Sequence, residues 1–189
     1  MKEQNKSNQI SIVVGSWGSY NACNDRALGS QWLDLSEFAD WDEVVAELES
    51  QGFDLDRLDE ELFVQDIDGL PSACASWDYM SPQKLFETIR DSEVLDCSHK
   101  YDVMAAYLEI YNFSDFQNLV DSGGSHWDDD IHLYSGFDWE DYGREMFDCC
   151  EEGGLSDRLQ DFFDFERYGE YIGSDYCHEY SGGIIEIRN

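Results

Sequence analysis

The sequence predicts an α+β fold, and three observations carry that prediction. An apolar, β-branched run at 10–14 (ISIVV) reads as a strand. Several later segments place apolar residues at i, i+3 and i+4, opened by Ser or Asp and closed by Gly, which is the punctuation of helices. The end reads as a hairpin, because residues 175–180 and 184–187 flank the short turn Ser181-Gly182-Gly183. Strand signals thus sit towards the two ends, with helices between.

The elements follow in order. After the first strand, Gly15, Gly18, Asn21 and Asn24 mark a loop. Residues 31–35 (QWLDL) alternate and are expected to pair antiparallel with the first strand, with Trp32 and Leu33 facing opposite ways. Trp41, Val44, Val45 and Leu48 predict a helix, with Asp40 as N-cap and Gly52 just past its end. Residues 62–65 predict a third strand, stopped by Asp68-Gly69 and Pro71. Ser81-Pro82 opens a helix with Leu85, Phe86 and Ile89 inside. Val103, Met104, Tyr107, Leu108 and Tyr111 form the stripe of the next, and Ser114 is expected to cap a third through Phe116, Leu119 and Val120. Residues 125–130 (SHWDDD) read as a polar junction, and 131–134 as a strand. Trp139, Tyr142, Met146 and Cys149 predict a helix over 138–150, stopped by Gly153-Gly154. Leu155, Leu159, Phe162 and Phe163 predict another, and a last helical piece runs through Phe165 and Tyr168. The expected organisation is an N-terminal α+β domain (1–79, with 1–9 disordered), a helical middle domain (80–128) and a C-terminal α+β domain (129–189).

The charge bounds the function. Asp and Glu number 43 against 11 Lys and Arg, a net charge of −32. Acidic disordered chains lack aromatics, yet 15% of this chain is Phe, Trp or Tyr, so a core can form. The folded surface must then carry a strongly negative field and its self-repulsion. Direct binding of nucleic acid is excluded, since neutralising phosphates takes clustered Lys and Arg. Anionic bilayers would repel the chain, and no apolar run approaches the ~18 residues of a membrane span. Residues 1–9 lack the apolar stretch of a signal peptide. Cys23, Cys74, Cys97, Cys149, Cys150 and Cys177 are expected as free thiols in a reducing cytoplasm.

The acids are patterned. Asp138, Asp141, Glu145, Asp148 and Glu152 repeat the apolar spacing of their helix one residue earlier, so they form a second stripe about 100° away. Arg144 is the single cation inside that helix. Asp157 and Asp161 continue the theme, and Asp42, Glu43 and Glu47 repeat it near the N-terminus. Duplex DNA carries about one charge per 1.7 Å, so this net charge matches roughly 54 Å of duplex. A basic, DNA-binding protein surface is the natural partner.

Signatures of chemistry are fragmentary. Asp66-Ile67-Asp68-Gly69 is part of a calcium loop, but Trp77 stands where the bidentate Glu belongs. Asp128, Asp129 and Asp130 are consecutive and point in different directions. Cys97 with His99, and Cys177 with His178, lack zinc spacing. There is no GxSxG, HExxH or phosphate-cradling loop, and no motif selects a glycosidase carboxylate pair. No catalytic residue, metal site or cofactor is expected, and the chain reads as a non-enzyme. The alternative is an acidic, divalent-cation-binding or halophilic-type globular protein with an unidentified activity.

Val14-Gly15-Ser16-Trp17, Tyr20-Asn21, Gly29 and Trp32-Leu33-Asp34-Leu35 together resemble the opening of ArdA-type antirestriction proteins. Phe63-Val64-Gln65-Asp66 with Asp68-Gly69-Leu70-Pro71, the stretches 138–147 and 155–165, Tyr168-Gly169 and the closing 183–187 continue the resemblance in order. It implies an elongated three-domain homodimer that mimics B-form DNA. The mimic occupies the DNA-binding groove of type I restriction-modification enzymes, chiefly the methyltransferase core. Such proteins are cytoplasmic and carried on mobile elements. The resemblance also implies that the antirestriction motif, here Leu155, Leu159, Phe162, Phe163 and Phe165, lies near the dimer interface.

Overall fold

The first apolar run becomes the middle of a small sheet. In the computed structural model, which describes residues 8–71, 80–150 and 156–188, β1 spans Ser11–Ser16 and is buried along its length. β2 (Leu33–Asp34) and β3 (Leu62–Asp68) flank it antiparallel, in the order β2-β1-β3. A strand covered on both faces reads as a near-continuous apolar run, here Ile12-Val13-Val14, with Ser11 and Ser16 buried beside it. β2 is shorter than expected. Asp34 Oδ1 accepts from the Ser36 amide (3.0 Å) and hydroxyl (2.7 Å), which turns Leu35–Glu37 into a 3-10 turn and out of the ladder. β3 is longer than expected and runs on to the turn at Gly69 (φ +88°).

The stretch after β1 holds a helix where the sequence suggested only loop. α1, Trp17–Ala22, is capped by Ser16, whose hydroxyl accepts from the Ser19 amide at 3.3 Å. Gly18 is there for contact: a Cβ would stand 1.6 Å from the Leu58 carbonyl oxygen. α2 spans Trp41–Ser50 and has the expected Asp40 cap, accepting from the Glu43 amide at 3.0 Å. Glu43 returns the favour by accepting from the Ala39 amide at 2.7 Å, close to a capping box.

Three helices follow: α3 (Pro82–Asp91), α4 (Ser98–Ile110) and α5 (Phe113–Gly123). Leu85, Phe86, Ile89, Val103, Met104, Tyr107 and Leu108 are buried, as their spacing predicts. The α5 cap is Asn112 rather than Ser114; its side chain accepts from the Asp115 amide at 3.1 Å and brings Phe113 into the helix and the core. Trp127, expected in a polar junction, is buried instead. Its indole N–H donates to the Ser92 carbonyl (3.0 Å) and its ring meets Phe116 edge-on. Helices and sheet belong to one compact unit, Met1–Trp127. The Tyr101 hydroxyl donates to the Gly69 carbonyl at 2.6 Å, and the Asn8 side-chain Nδ2 to the Val94 carbonyl at 2.9 Å. Residues 1–7 and 72–79, with Cys74, Trp77 and the expected boundary at 79, lie outside the described residues.

The second unit is Asp128–Asn189. β4 (Ile131–Ser135), β5 (Cys177–Tyr180) and β6 (Gly183–Ile187) form an antiparallel sheet in the order β4-β6-β5. The predicted closing hairpin is thus present, joined by Ser181-Gly182. α6 (Trp139–Cys150), α7 (Asp157–Gln160) and α8 (Phe165–Gly173) complete the unit. α6 and α8 meet glycine to glycine. A Cβ on Gly143 would stand 2.0 Å from the Phe165 carbonyl oxygen, and one on Gly169 would stand 2.3 Å from that of Trp139. The two backbones approach closely only because both positions lack a side chain. Of the amphipathic helix expected over Leu155 to Phe163, the described residues hold only α7, and the last helical piece expected through Phe165 and Tyr168 is α8. α7 is one turn, and Asp164 then caps α8 by accepting from the Arg167 amide at 3.0 Å. That side-chain bond competes with continuation of the preceding helix. The stop at Gly153-Gly154 lies outside the described residues.

Candidate functional site

Surface carboxylates are the candidate site, and the fold divides the acids into two kinds. One kind is engaged by the chain itself. Asp34, Asp40, Glu43, Asp138 and Asp164 satisfy backbone amides at turns or helix starts. Negative groups there also meet the positive end of the helix dipole. Asp138, predicted as the head of the acidic stripe, accepts from the Asp141 amide at 2.9 Å, so it is a cap as well as a charge.

The other kind faces water. On α6, Asp141, Glu145 and Asp148 are exposed, while Tyr142 and Phe147 are buried and Trp139 and Met146 half-buried. The stripe and its rotation relative to the apolar face are therefore as the spacing indicates. Cys149, expected on the apolar face, is exposed and donates weakly to Glu145 Oε1 at 3.7 Å; Phe147 takes the inward place. Arg144 is turned away from the row. It grips Glu140 Oε1 through Nη2 at 2.6 Å and lies 4.3 Å over the Phe165 ring. The cation within α6 thus leaves its outer row anionic. On α2, Asp42 and Glu43 are exposed and Glu47 is half-buried, accepting from the Gln51 side chain at 2.8 Å. Asp161 is exposed after α7. Asp157 opens α7, while Glu152 and Leu155 lie outside the described residues. The sequence reading missed Glu166 and Glu170, an exposed i, i+4 pair on α8.

The expected motif residues separate. Phe162 is 83% exposed and Leu159 54%. Phe163 is half-buried and clusters with Phe147, Phe165 and Tyr168 at ring distances of 4.8–5.6 Å. Phe165 is buried inside the same unit.

Beneath α6 sits a carboxylate of the opposite character. Glu186, on the central strand β6, is 0% exposed. It accepts from the Tyr142 hydroxyl (3.1 Å) and the Tyr134 hydroxyl (3.2 Å) and is paired with Arg188. The Cys177 thiol donates to the Tyr142 hydroxyl oxygen at 3.1 Å. Burial, followed by the Cys177 and Glu186 contacts, pushes the Tyr142 hydroxyl far above the ordinary range. Burial, then Glu186, raises Tyr134 to about 12, and burial raises Cys177 to about 11. All three stay protonated near neutrality and act as donors. One carboxylate thereby ties α6, β4 and β6 together. In the other unit Asp59, also 0% exposed, accepts from the Ser19 hydroxyl (2.5 Å) and the Asp54 amide (2.8 Å), with Arg26 Nε 3.6 Å away. Burial works to raise its pKa, but these hydrogen bonds and Arg26 outweigh it and hold the group below the usual value.

Among the described residues no three of His, Cys, Asp and Glu converge as a metal cage requires, and no helix is long and apolar enough to cross a membrane. No individual curated protein matches the chain. A family model does: that of the antirestriction protein ArdA, over residues 12–186. That match takes in both sheets and their helices, including α6 and its acidic row, and on it the chain belongs to the ArdA antirestriction family, which implies an antirestriction function directed at restriction-modification enzymes.

Proposed function

We propose that the protein blocks a type I restriction-modification enzyme by occupying its DNA-binding groove, chiefly on the methyltransferase core, with carboxylates standing where phosphates would. The observation that supports this most is a net charge of −32 on a folded, aromatic-rich chain, with an α6 row turned to water and its one internal cation turned elsewhere. Asp141, Glu145 and Asp148 lie roughly 4.5–6 Å apart along the axis. A DNA strand carries a charge about every 3.4 Å. One row is thus sparser than a strand, and neighbouring acids such as Glu166 and Glu170 on α8 supply the rest. Asp42, Glu43 and Glu47 of the first unit, and Asp138, Glu152, Asp157 and Asp161 of the second, are assigned the same phosphate-like role.

Such a surface lacks base edges, so it inhibits enzymes of different recognition sequence. Association is steered electrostatically and weakens steeply with salt. The protein works in the cytoplasm as a homodimer, delivered by a mobile element. It performs no catalysis, needs no cofactor and does not bind nucleic acid itself. Leu159 and Phe162 supply the exposed apolar part of the dimer contact; Phe165, being internal, supports it from behind. The test is inhibition by the triple variant Asp141→Asn, Glu145→Gln, Asp148→Asn. Weaker inhibition at an unchanged melting temperature is expected; undiminished inhibition would remove α6 from the contact surface.

A further inference from the structure

We propose that a cavity in the first unit is a binding pocket for a guanidinium group. The cavity, of about 550 Å³, is walled by Trp17, Trp41 and Pro82 and rimmed by Glu60 and Glu61, with the sealed Asp59 in its lining. Its size falls within the range of small-ligand sites. Trp17 opens α1 and Trp41 opens α2, so two helix starts hold the indoles in place. One face of Trp17 is stacked on Phe63 at 4.4 Å, and Trp41 leans on Phe86 at 6.0 Å. Both indoles are only half-buried.

The chemistry of the walls selects the ligand. Indole faces attract cations, and a flat, weakly hydrated guanidinium stacks on them better than an ammonium does. Glu60 and Glu61 are exposed at the rim, and no Lys or Arg is among the described lining residues. The helix starts of α2 and α3 would by themselves favour an anion. Each start is capped: Asp40 takes the Glu43 amide of α2, Ser81 takes the Lys84 amide of α3, and Pro82 has no N–H to offer. Asp59 is sealed and offset by Arg26, so the exposed Glu60 and Glu61 set the sign of the site.

The full-length protein titrated with argininamide at constant ionic strength tests this, read on the indole N–H resonances. A saturable, one-to-one shift of the Trp17 and Trp41 signals is expected. Trp41→Leu, and separately Glu60→Gln with Glu61→Gln, should each weaken it by about tenfold. Trp41 packs on Phe86 and its loss disturbs the fold; the exposed glutamate pair does not, so that variant isolates the charge. Shifts that stay linear, or that saturate elsewhere while both indoles are unmoved, overturn the pocket. A blocked Gly-Arg-Gly peptide run in parallel names the source. Binding of the peptide assigns the pocket to an arginine of a protein partner, and binding of argininamide alone assigns it to a small free cation.

Discussion

α6 separates two sets of carboxylates that differ in nothing but position. Beneath it, Glu186 is sealed from solvent, held by two tyrosine hydroxyls and paired with Arg188. Outside it, Asp141, Glu145 and Asp148 stand in water, and the helix's own arginine is spent on Glu140. The buried acid serves the fold. The exposed acids work against it, since like charges at i, i+3 and i, i+4 destabilise a helix by a few tenths of a kcal/mol per pair. A single count of acids hides this division, and substitutions can expose it.

The largest effect is expected at Glu186. Changing it to Ala leaves the Tyr142 and Tyr134 hydroxyls without their acceptor, at about 1–3 kcal/mol for each, while Arg188 is exposed and returns to water. Chemical denaturation reads the loss, and an intact midpoint would show that the network is incidental. Next comes Gly143→Ala. Alanine gains up to ~1 kcal/mol of helix propensity over glycine. Its Cβ, however, meets the Phe165 carbonyl at 2.0 Å. Forcing apart packed backbones costs about 1–3 kcal/mol, so the net change is destabilising. A stabilised variant would mean that α6 and α8 can separate freely.

Asp59 extends the comparison to the first unit and brings in pH. Its folded pKa lies below the usual value, so its contribution is present above the unfolded pKa near 3.8 and lost as pH falls through the folded one. Asp59→Asn should lower stability by about 2 kcal/mol at neutral pH. The gap to the parent should close in acid, as measured by unfolding at a series of pH values. Asp138→Ala is milder, at about 1 kcal/mol for a lost cap. Least is expected from neutralising Asp141, Glu145 and Asp148 together: within about 0.5 kcal/mol, and stabilising. A large loss of stability there would make the outer row structural and erase the contrast.

Much of this was legible in the sequence because the signals are local. β1, the Asp40 and Ser81 caps, the closing hairpin and the acidic stripe each depend on a few adjacent residues. What was missed depends on distant partners. α1 was hidden by glycines and asparagines that mark loops, and Gly18 makes sense only against the Leu58 carbonyl. Gly143 and Gly169, over twenty residues apart, identify each other only once α6 and α8 meet. Glu186 sits between two isoleucines in a strand and reads as the exposed member of an alternation. The tyrosines that make its burial tolerable come from β4 and from α6. Trp127 likewise looked polar because its neighbours are. Within the site, the sequence placed the charges correctly on α6 but could not say that Asp138 caps the helix or that Phe165 turns inward.

The central claim is that the exterior carboxylates compete for a surface that holds DNA. The most direct measurement is displacement of a labelled DNA duplex from a type I methyltransferase core by this protein across a salt series. The account predicts stoichiometric displacement at low salt, weakening steeply as salt rises and blunted by the Asp141→Asn, Glu145→Gln, Asp148→Asn variant. Binding to the enzyme that leaves the duplex in place, or displacement indifferent to both salt and the variant, would contradict it.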